Sequence, residues 1–135
     1  MFKLSKLTDY ALVIISCLDN KKGALDAKQL ALETAISYHT VAKICKNLVK
    51  QGLLISTRGA KGGYQLAPSC YEISFLAIIE AIEGPLIITE CGFKDFSCVL
   101  ANKCGVMTPL KKINGLILEA LSSHTLESFI NLGVS

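Results

Sequence analysis

Apolar residues recur at helical spacing near the start of the chain. Leu7, Ala11, Ile14, Ile15 and Leu18 fall on one face, predicting a helix over about Lys6 to Leu18 that Asn20 to Gly23 stops. Two helix starts then follow in close succession. Asp26 can cap the free amides of the next turn, Gln29 can reach back to it, and Leu25 with Leu30 can form a hydrophobic staple, which predicts a short helix over Ala27 to Thr34. Ser37 repeats the device, with Ile36 and Val41 as the staple, for a helix over Tyr38 to Gln51 closed by Gly52. Only Ala35 and Ile36 separate the two helices, so the pair reads as a helix-turn-helix.

Beyond Gly52 the period changes. Leu53 to Thr57 and Tyr64 to Ala67 read as short strands around the basic, glycine-rich turn Arg58 to Gly63, forming a β-hairpin wing. Ser74 can cap a further helix, Phe75 to Glu83, which Gly84 and Pro85 end. Thr108 and Pro109 have the cap and first-turn proline of another helix start. After them, Leu110, Ile113, Leu116, Ile117, Ala120 and Leu121 make a stripe wide enough to pack both inward and against a partner. Thr125 to Leu132 reads as a short last helix. The expected architecture is mainly α with a small β-wing. A winged helix-turn-helix domain occupies residues 1–84, a cysteine segment 85–107, and a dimerisation helix with its tail 108–135.

Composition adds one inference to this pattern. With 51% hydrophobic residues in 135, the chain has more apolar surface than a domain of its size hides alone, which points to a homodimer interface. The net charge of +3 is mild, and its placement says more. Opposite the apolar stripe Val41, Ile44 and Leu48, the second helix of the helix-turn-helix presents Tyr38, His39, Thr40, Lys43, Lys46, Asn47 and Lys50, with no acid among them. A solvated helix face usually mixes both signs, so a one-signed face suits phosphates. Arg58 and Lys61 put charge at the wing tip, where glycines let the backbone approach a groove. Tyr38, His39, Thr40, Lys43, Arg58 and Lys61 are therefore the candidate contacts to double-stranded DNA.

Lys3 and Lys6 before the apolar run ALVIISCL superficially resemble a signal peptide, but Asp9 and Tyr10 interrupt the approach and no small-x-small cleavage site follows. The reading is a mature cytoplasmic start, and no apolar run approaches a membrane span. Catalysis is not expected. His39 and His124 are the two histidines, and neither sits in a recognisable nucleophile or carboxylate motif.

Half of the six cysteines, Cys91, Cys98 and Cys104, lie in one stretch, TECGFKDFSCVLANKCGVMT, as C-x6-C-x5-C. The stretch has no apolar period and reads as a loop folded around something. Clustered thiolates in a reducing compartment favour a soft metal: zinc, cuprous copper or an iron-sulfur cluster. Zinc motifs usually bring two cysteines within about two to four residues, whereas iron-sulfur loops tolerate wider spacing, so the cluster is preferred to zinc. A disulfide with a spare thiol, or plain small buried residues, is the weaker alternative. Cys17, Cys45 and Cys70 lie in or beside the helices and the wing and read as packing.

LSKLTDYAL, the helix-turn-helix, RGAKGGYQLA, IEGP and the three cysteines together resemble the IscR and NsrR type of bacterial winged-helix transcription regulators. Within that type, TEC, CGV and KINGLILEAL are most similar to the regulator of the SUF iron-sulfur assembly system. The resemblance covers essentially the whole chain. It implies a dimeric repressor on a palindromic operator, controlling iron-sulfur assembly genes and sensing cluster status, with Cys91, Cys98 and Cys104 as ligands. A 2Fe-2S cluster is preferred to a 4Fe-4S one. IscR-like members carry a histidine three residues after the last cysteine, where this chain has Met107. In NsrR-like members the aspartate of LTDY can serve, which here is Asp9. Competing readings are an iron-sulfur electron-transfer or cluster-carrier protein, which would need neither basic helix nor wing, and a DNA-binding protein with structural zinc.

Overall fold

The computed structural model describes residues 4–86 and 105–132. In chain order these form α1 (Lys6–Lys21), α2 (Ala27–Thr34), α3 (Tyr38–Lys50), β1 (Leu54–Thr57), β2 (Gly63–Leu66), a 3-10 helix (Pro68–Glu72), α4 (Phe75–Glu83), α5 (Met107–Ser122) and α6 (Leu126–Leu132). The cysteine stretch read above as a loop lies almost wholly outside the described residues.

Local capping starts the helices where the sequence places them. The Asp26 carboxylate accepts the Gln29 N–H and the Gln29 side chain accepts the Asp26 N–H, both at 2.8 Å, a complete capping box at α2. Ser37 caps α3 through the Thr40 N–H at 3.4 Å, and Ser74 caps α4 through the Ala77 N–H at 3.1 Å. Each such cap stabilises its helix by about 1 kcal/mol. Gly52, at φ 82°, ends α3 in a left-handed turn in which the Leu53 N–H reaches the Leu48 carbonyl at 2.9 Å.

Two expectations are corrected. On α1 the inward face is Thr8, Ala11, Ile14, Ile15 and Leu18, while Leu7 remains 40% exposed. Thr8 is tolerated inside because its hydroxyl is hydrogen-bonded, and α1 continues to Lys21, ending at Lys22 in the left-handed region. At α5 the helix begins at Met107, with no side-chain cap, so Thr108 and Pro109 sit inside its first turn. Pro109 costs little there, since the first four helical N–H groups have no intrahelical partner.

The core gathers Ile14, Ile15, Leu30, Val41, Leu48 and Ile78 from four helices, with Leu53, Leu54 and Ala67 at the base of the wing. Leu126 of α6 enters the same core, fully buried. It is tied there by its N–H to the Ile73 carbonyl at 2.9 Å and by Phe129 stacked on Phe75 at 4.9 Å. In contrast, α5 packs on α4 with no fully buried residue, and Ile113 and Leu116 are 49% and 64% exposed. Among the described residues no helix is long and apolar enough to cross a membrane.

Candidate nucleic-acid interface

The helix-turn-helix turn is made by Ala35 in the left-handed region (φ 60°), which redirects the chain from α2 into α3. Val41, Ile44, Cys45 and Leu48 bury the inner face of α3. That burial fixes the opposite face outward, where Tyr38, His39, Lys43, Lys46 and Lys50 are exposed and Thr40 and Asn47 half-buried. Tyr38 and His39 meet edge to face at 5.8 Å, and the Ser37 hydroxyl donates to Thr40 Oγ1 at 2.8 Å, so the first turn of α3 presents an ordered set of groups. The one ion pair among the described residues is Lys21–Glu33 at 3.4 Å, leaving Lys43, Lys46, Lys50, Arg58 and Lys61 without an acidic partner there.

The wing is anchored as well as paired. β1 and β2 run antiparallel from Leu54 opposite Leu66 to Thr57 opposite Gly63. Leu25, between α1 and α2, then adds a third pairing: its N–H donates to the Tyr64 carbonyl at 3.0 Å and its carbonyl accepts the Tyr64 N–H at 2.7 Å. Gly63 is required at this junction. Its φ is 145°, and a Cβ there would lie 2.5 Å from the Leu25 carbonyl carbon. Arg58 and Lys61 are exposed in the turn, carried on a hairpin bonded to the segment that precedes α2. Sequence reasoning missed this long-range bridge. The paired glycines before Tyr64 are the signal of a close backbone approach.

Of the residues read as metal ligands, Cys91, Cys98 and Cys104 lie outside the described residues. Asp9 is exposed in the first turn of α1, its amide bonded to the Ser5 carbonyl at 3.1 Å and its carboxylate without a hydrogen bond or ion pair among the described residues. Such a carboxylate fits as an anionic oxygen donor beside thiolates. Among the described residues no three histidine, cysteine, aspartate or glutamate side chains gather, so a metal centre here needs donors from the cysteine segment. The remaining thiols are unsuited. Cys45 and Cys70 are buried, and burial pushes their pKa up to about 12 and about 11, keeping both protonated at neutral pH. The half-buried Cys17 thiol is also raised, by burial and then by Glu33.

A helix-turn-helix whose second helix exposes a one-signed face, followed by an anchored basic hairpin, defines a winged helix-turn-helix regulator. The chain belongs to the Rrf2 family, described as "Iron-dependent Transcriptional regulator", whose pattern matches residues 4–132. It is 30% identical over 130 residues to the HTH-type transcriptional regulator NsrR of Oceanobacillus iheyensis, covering 94% of this chain and 88% of that one. Among solved structures it resembles CymR, the global cysteine regulator of B. subtilis, with TM-score 0.75, 30% identity and 98% of each chain covered. It also resembles T. potens IscR, with TM-score 0.71, 26% identity, and 98% of this chain and 88% of that one covered.

Proposed function

We propose that this Rrf2 regulator is a cytoplasmic homodimer that binds a palindromic operator and responds to an iron-sulfur cluster held by Cys91, Cys98, Cys104 and Asp9. Tyr38, His39, Thr40 and Lys43 are the residues directed at base edges and flanking phosphates, and Arg58 and Lys61 at the adjacent minor groove or backbone. The observation that carries the DNA contacts is the exposed face of α3, free of acids and of ion pairs among the described residues, beside a wing hydrogen-bonded to Leu25. The exposed Ile113 and Leu116 of α5 support self-association, because a second α5 would cover apolar surface that α4 leaves open. In such a dimer the two α3 helices stand roughly 34 to 36 Å apart, one turn of DNA. The units are a DNA-binding head over residues 1–84, the cysteine segment 85–107, and the dimerisation helix and tail 108–135.

When bound, the cluster supplies a redox- and ligand-sensitive iron centre. A carboxylate binds iron less tightly than a thiolate, so the Asp9 side is the labile one, suited to sensing. The expected role is repression of iron-sulfur assembly genes, with a 2Fe-2S cluster preferred. The test is an anaerobic absorption spectrum with iron and sulfide counts, run beside operator binding by loaded and apo protein and by a Leu116→Asp variant. Visible iron-sulfur bands, a dimer lost in Leu116→Asp, and different operator affinities for the two forms are expected. Zinc in place of iron and sulfide overturns the cluster.

A further inference from the structure

Tyr64 joins the wing to both helices of the helix-turn-helix. In β2 it stands opposite Ser56 of β1, and its own N–H and carbonyl are both taken by Leu25, the residue before the α2 cap Asp26, at 2.7 and 3.0 Å. Alternate residues of a strand share a face, so the Tyr64 ring turns with Leu66 toward the core, where both are half-buried, while Gln65 between them is exposed. There the ring lies beside α3. Burial first, and then the neighbouring Cys45 and Tyr38, hold its hydroxyl above the ordinary phenol range. Cys45 and Tyr38 are about two turns apart on one flank of that helix, so the ring faces the part of α3 where the candidate DNA face begins. The hydroxyl has no hydrogen-bond partner among the described residues, so packing of the ring holds it rather than a polar bond. From Tyr64 to the wing tip the backbone has no slack. Gly63 packs against the Leu25 backbone too closely for a side chain, a Cβ on Gly62 would overlap the Thr57 carbonyl oxygen, and the Gly62 N–H closes the turn on the Gly59 carbonyl at 2.9 Å. The position of the ring is thereby carried to the exposed Arg58 and Lys61.

We propose that Tyr64 is a positioning residue for the DNA interface: its ring sets the wing against the first turn of α3, so that Arg58 and Lys61 reach the DNA in fixed register with Tyr38, Thr40 and Lys43. This rests on the reading of Arg58 and Lys61 as DNA contacts. The role belongs to an uncharged side chain that itself touches no phosphate. Its removal therefore changes a quantity that loss of stability alone leaves untouched, the number of phosphates the wing neutralises, which the salt dependence of binding counts. Because Tyr64 acts through Arg58 and Lys61, its effect on affinity disappears once those two side chains are gone. Phenylalanine keeps the ring and alanine removes it, so the two substitutions separate packing from the hydroxyl.

The experiment uses a fluorescent duplex selected from a random-sequence pool by the wild-type protein and follows its binding by anisotropy across a salt series. It compares wild type, Tyr64→Ala, Tyr64→Phe, the Arg58→Ala/Lys61→Ala pair, and that pair combined with Tyr64→Ala. Tyr71→Phe, which loses the hydrogen bond to Asp19 at 2.6 Å on the α6 side of the head, is the control for stability alone. Tyr64→Ala should weaken binding and flatten the log-log slope by roughly 0.9 for each phosphate contact the wing loses, although no charge has been removed. Tyr64→Phe and Tyr71→Phe should keep wild-type affinity and slope. Added to the Arg58→Ala/Lys61→Ala pair, Tyr64→Ala should lower affinity by less than about 2-fold more. Where circular dichroism shows Tyr64→Ala unfolded, Tyr64→Leu, which keeps an apolar side chain without the ring, carries the same test. A wild-type slope in the variant lacking the ring, or its full effect persisting in the pair, overturns the role. Tyr64→Phe binding as weakly as Tyr64→Ala overturns it too, since the hydroxyl would then be a direct contact. If the Arg58→Ala/Lys61→Ala pair itself binds with wild-type affinity and slope, the wing reading fails and this proposal with it.

Discussion

The buried Thr8 hydroxyl donates to Glu83 Oε1 at 2.7 Å, joining residues 75 apart in the chain and tying the start of α1 to the end of α4. Burial by itself would raise the Glu83 carboxyl, but hydrogen bonds from Ser5 and Thr8 outweigh it and hold the group below its ordinary value. A carboxylate with a depressed folded-state pKa contributes stability above its unfolded pKa and loses it as pH falls through the folded value. Wild type should therefore exceed the non-titrating Glu83→Gln in thermal stability at neutral pH, with the difference shrinking as pH is taken below about 4. Melting curves at matched ionic strength check this. A gap that does not change with pH would mean that Glu83 is not the titrating partner.

Gly63→Ala should damage the molecule in two ways at once. The added Cβ would meet the Leu25 backbone at 2.5 Å in a conformation that L residues rarely adopt, so the cost should exceed about 1 kcal/mol in denaturant unfolding. Because the same junction anchors the wing, DNA affinity should fall even where the variant is fully folded. Gly59→Ala is the comparison, since its φ of 113° is also one that L residues rarely adopt but open space surrounds it. It should cost less stability.

Replacing Arg58 and Lys61 by alanine should weaken operator binding and flatten its salt dependence, by roughly 0.9 in log-log slope for each phosphate that is no longer neutralised. Fluorescence anisotropy across a salt series reads both quantities. Affinity and slope equal to wild type would remove the wing from the interface.

Much of this fold is legible in the sequence because its signals are local. Asp26 with Gln29, Ser37 and Ser74 each declare a helix start within four residues, and the structure uses all three. Gly52 likewise marks the end of α3 by the backbone angle it alone adopts easily. What escaped is what depends on partners distant in the chain. The Leu25–Tyr64 bridge carries no pattern of its own in a single residue, and Thr8 looks polar and therefore external until Glu83 is placed beside it. Leu7 and Thr8 stand about 100° apart around the helix, and periodicity favours the apolar Leu7; only the distant Glu83, which accepts from the Thr8 hydroxyl, makes an inward Thr8 acceptable. At α5 the Thr-Pro signal is real but displaced by two residues, since Val106 and not Thr108 is the N-cap, and a proline is acceptable in the first turn. The candidate DNA face was legible for a further reason. The buried stripe of α3 fixes its outward face by geometry, whereas Asp9, exposed and without a side-chain partner among the described residues, is legible only as a family resemblance.

Single alanine substitutions should divide the cysteines into two groups. Cys91, Cys98 and Cys104 should each lose the iron chromophore on replacement. Cys17, Cys45 and Cys70 should keep it, because the first is half-buried on α1 and the other two are protonated thiols in the packed head. Iron and sulfide analysis of anaerobically purified variants decides the matter. Full metal content in any variant of the first group removes that cysteine from the ligand set.

In the proposed cluster three thiolates would leave one iron position open, and Asp9 and Met107 are the two candidates to close it. Met107 opens α5 and is half-buried there, and a thioether is a neutral, weak donor that more often serves packing. Asp9 is anionic and exposed, and its backbone is held by Ser5, so its carboxylate can be offered to a ligand without first breaking a hydrogen bond among the described residues. The competing role is simpler: an acidic residue in the first turn of α1 favours the positive end of the helix dipole, by about 0.3 to 1 kcal/mol at an exposed site. The two roles separate under Asp9→Asn. Asparagine removes the charge from the dipole and from any iron, so both roles predict some loss of stability in the apo protein, but only the ligand role predicts a shifted cluster spectrum and faster iron loss. Met107→Ala should leave spectrum and retention unchanged. If Asp9→Asn and Asp9→Ala both keep the wild-type spectrum, retention and operator affinity, the fourth ligand is another group, such as water or a small thiol, and Asp9 acts on the helix dipole alone.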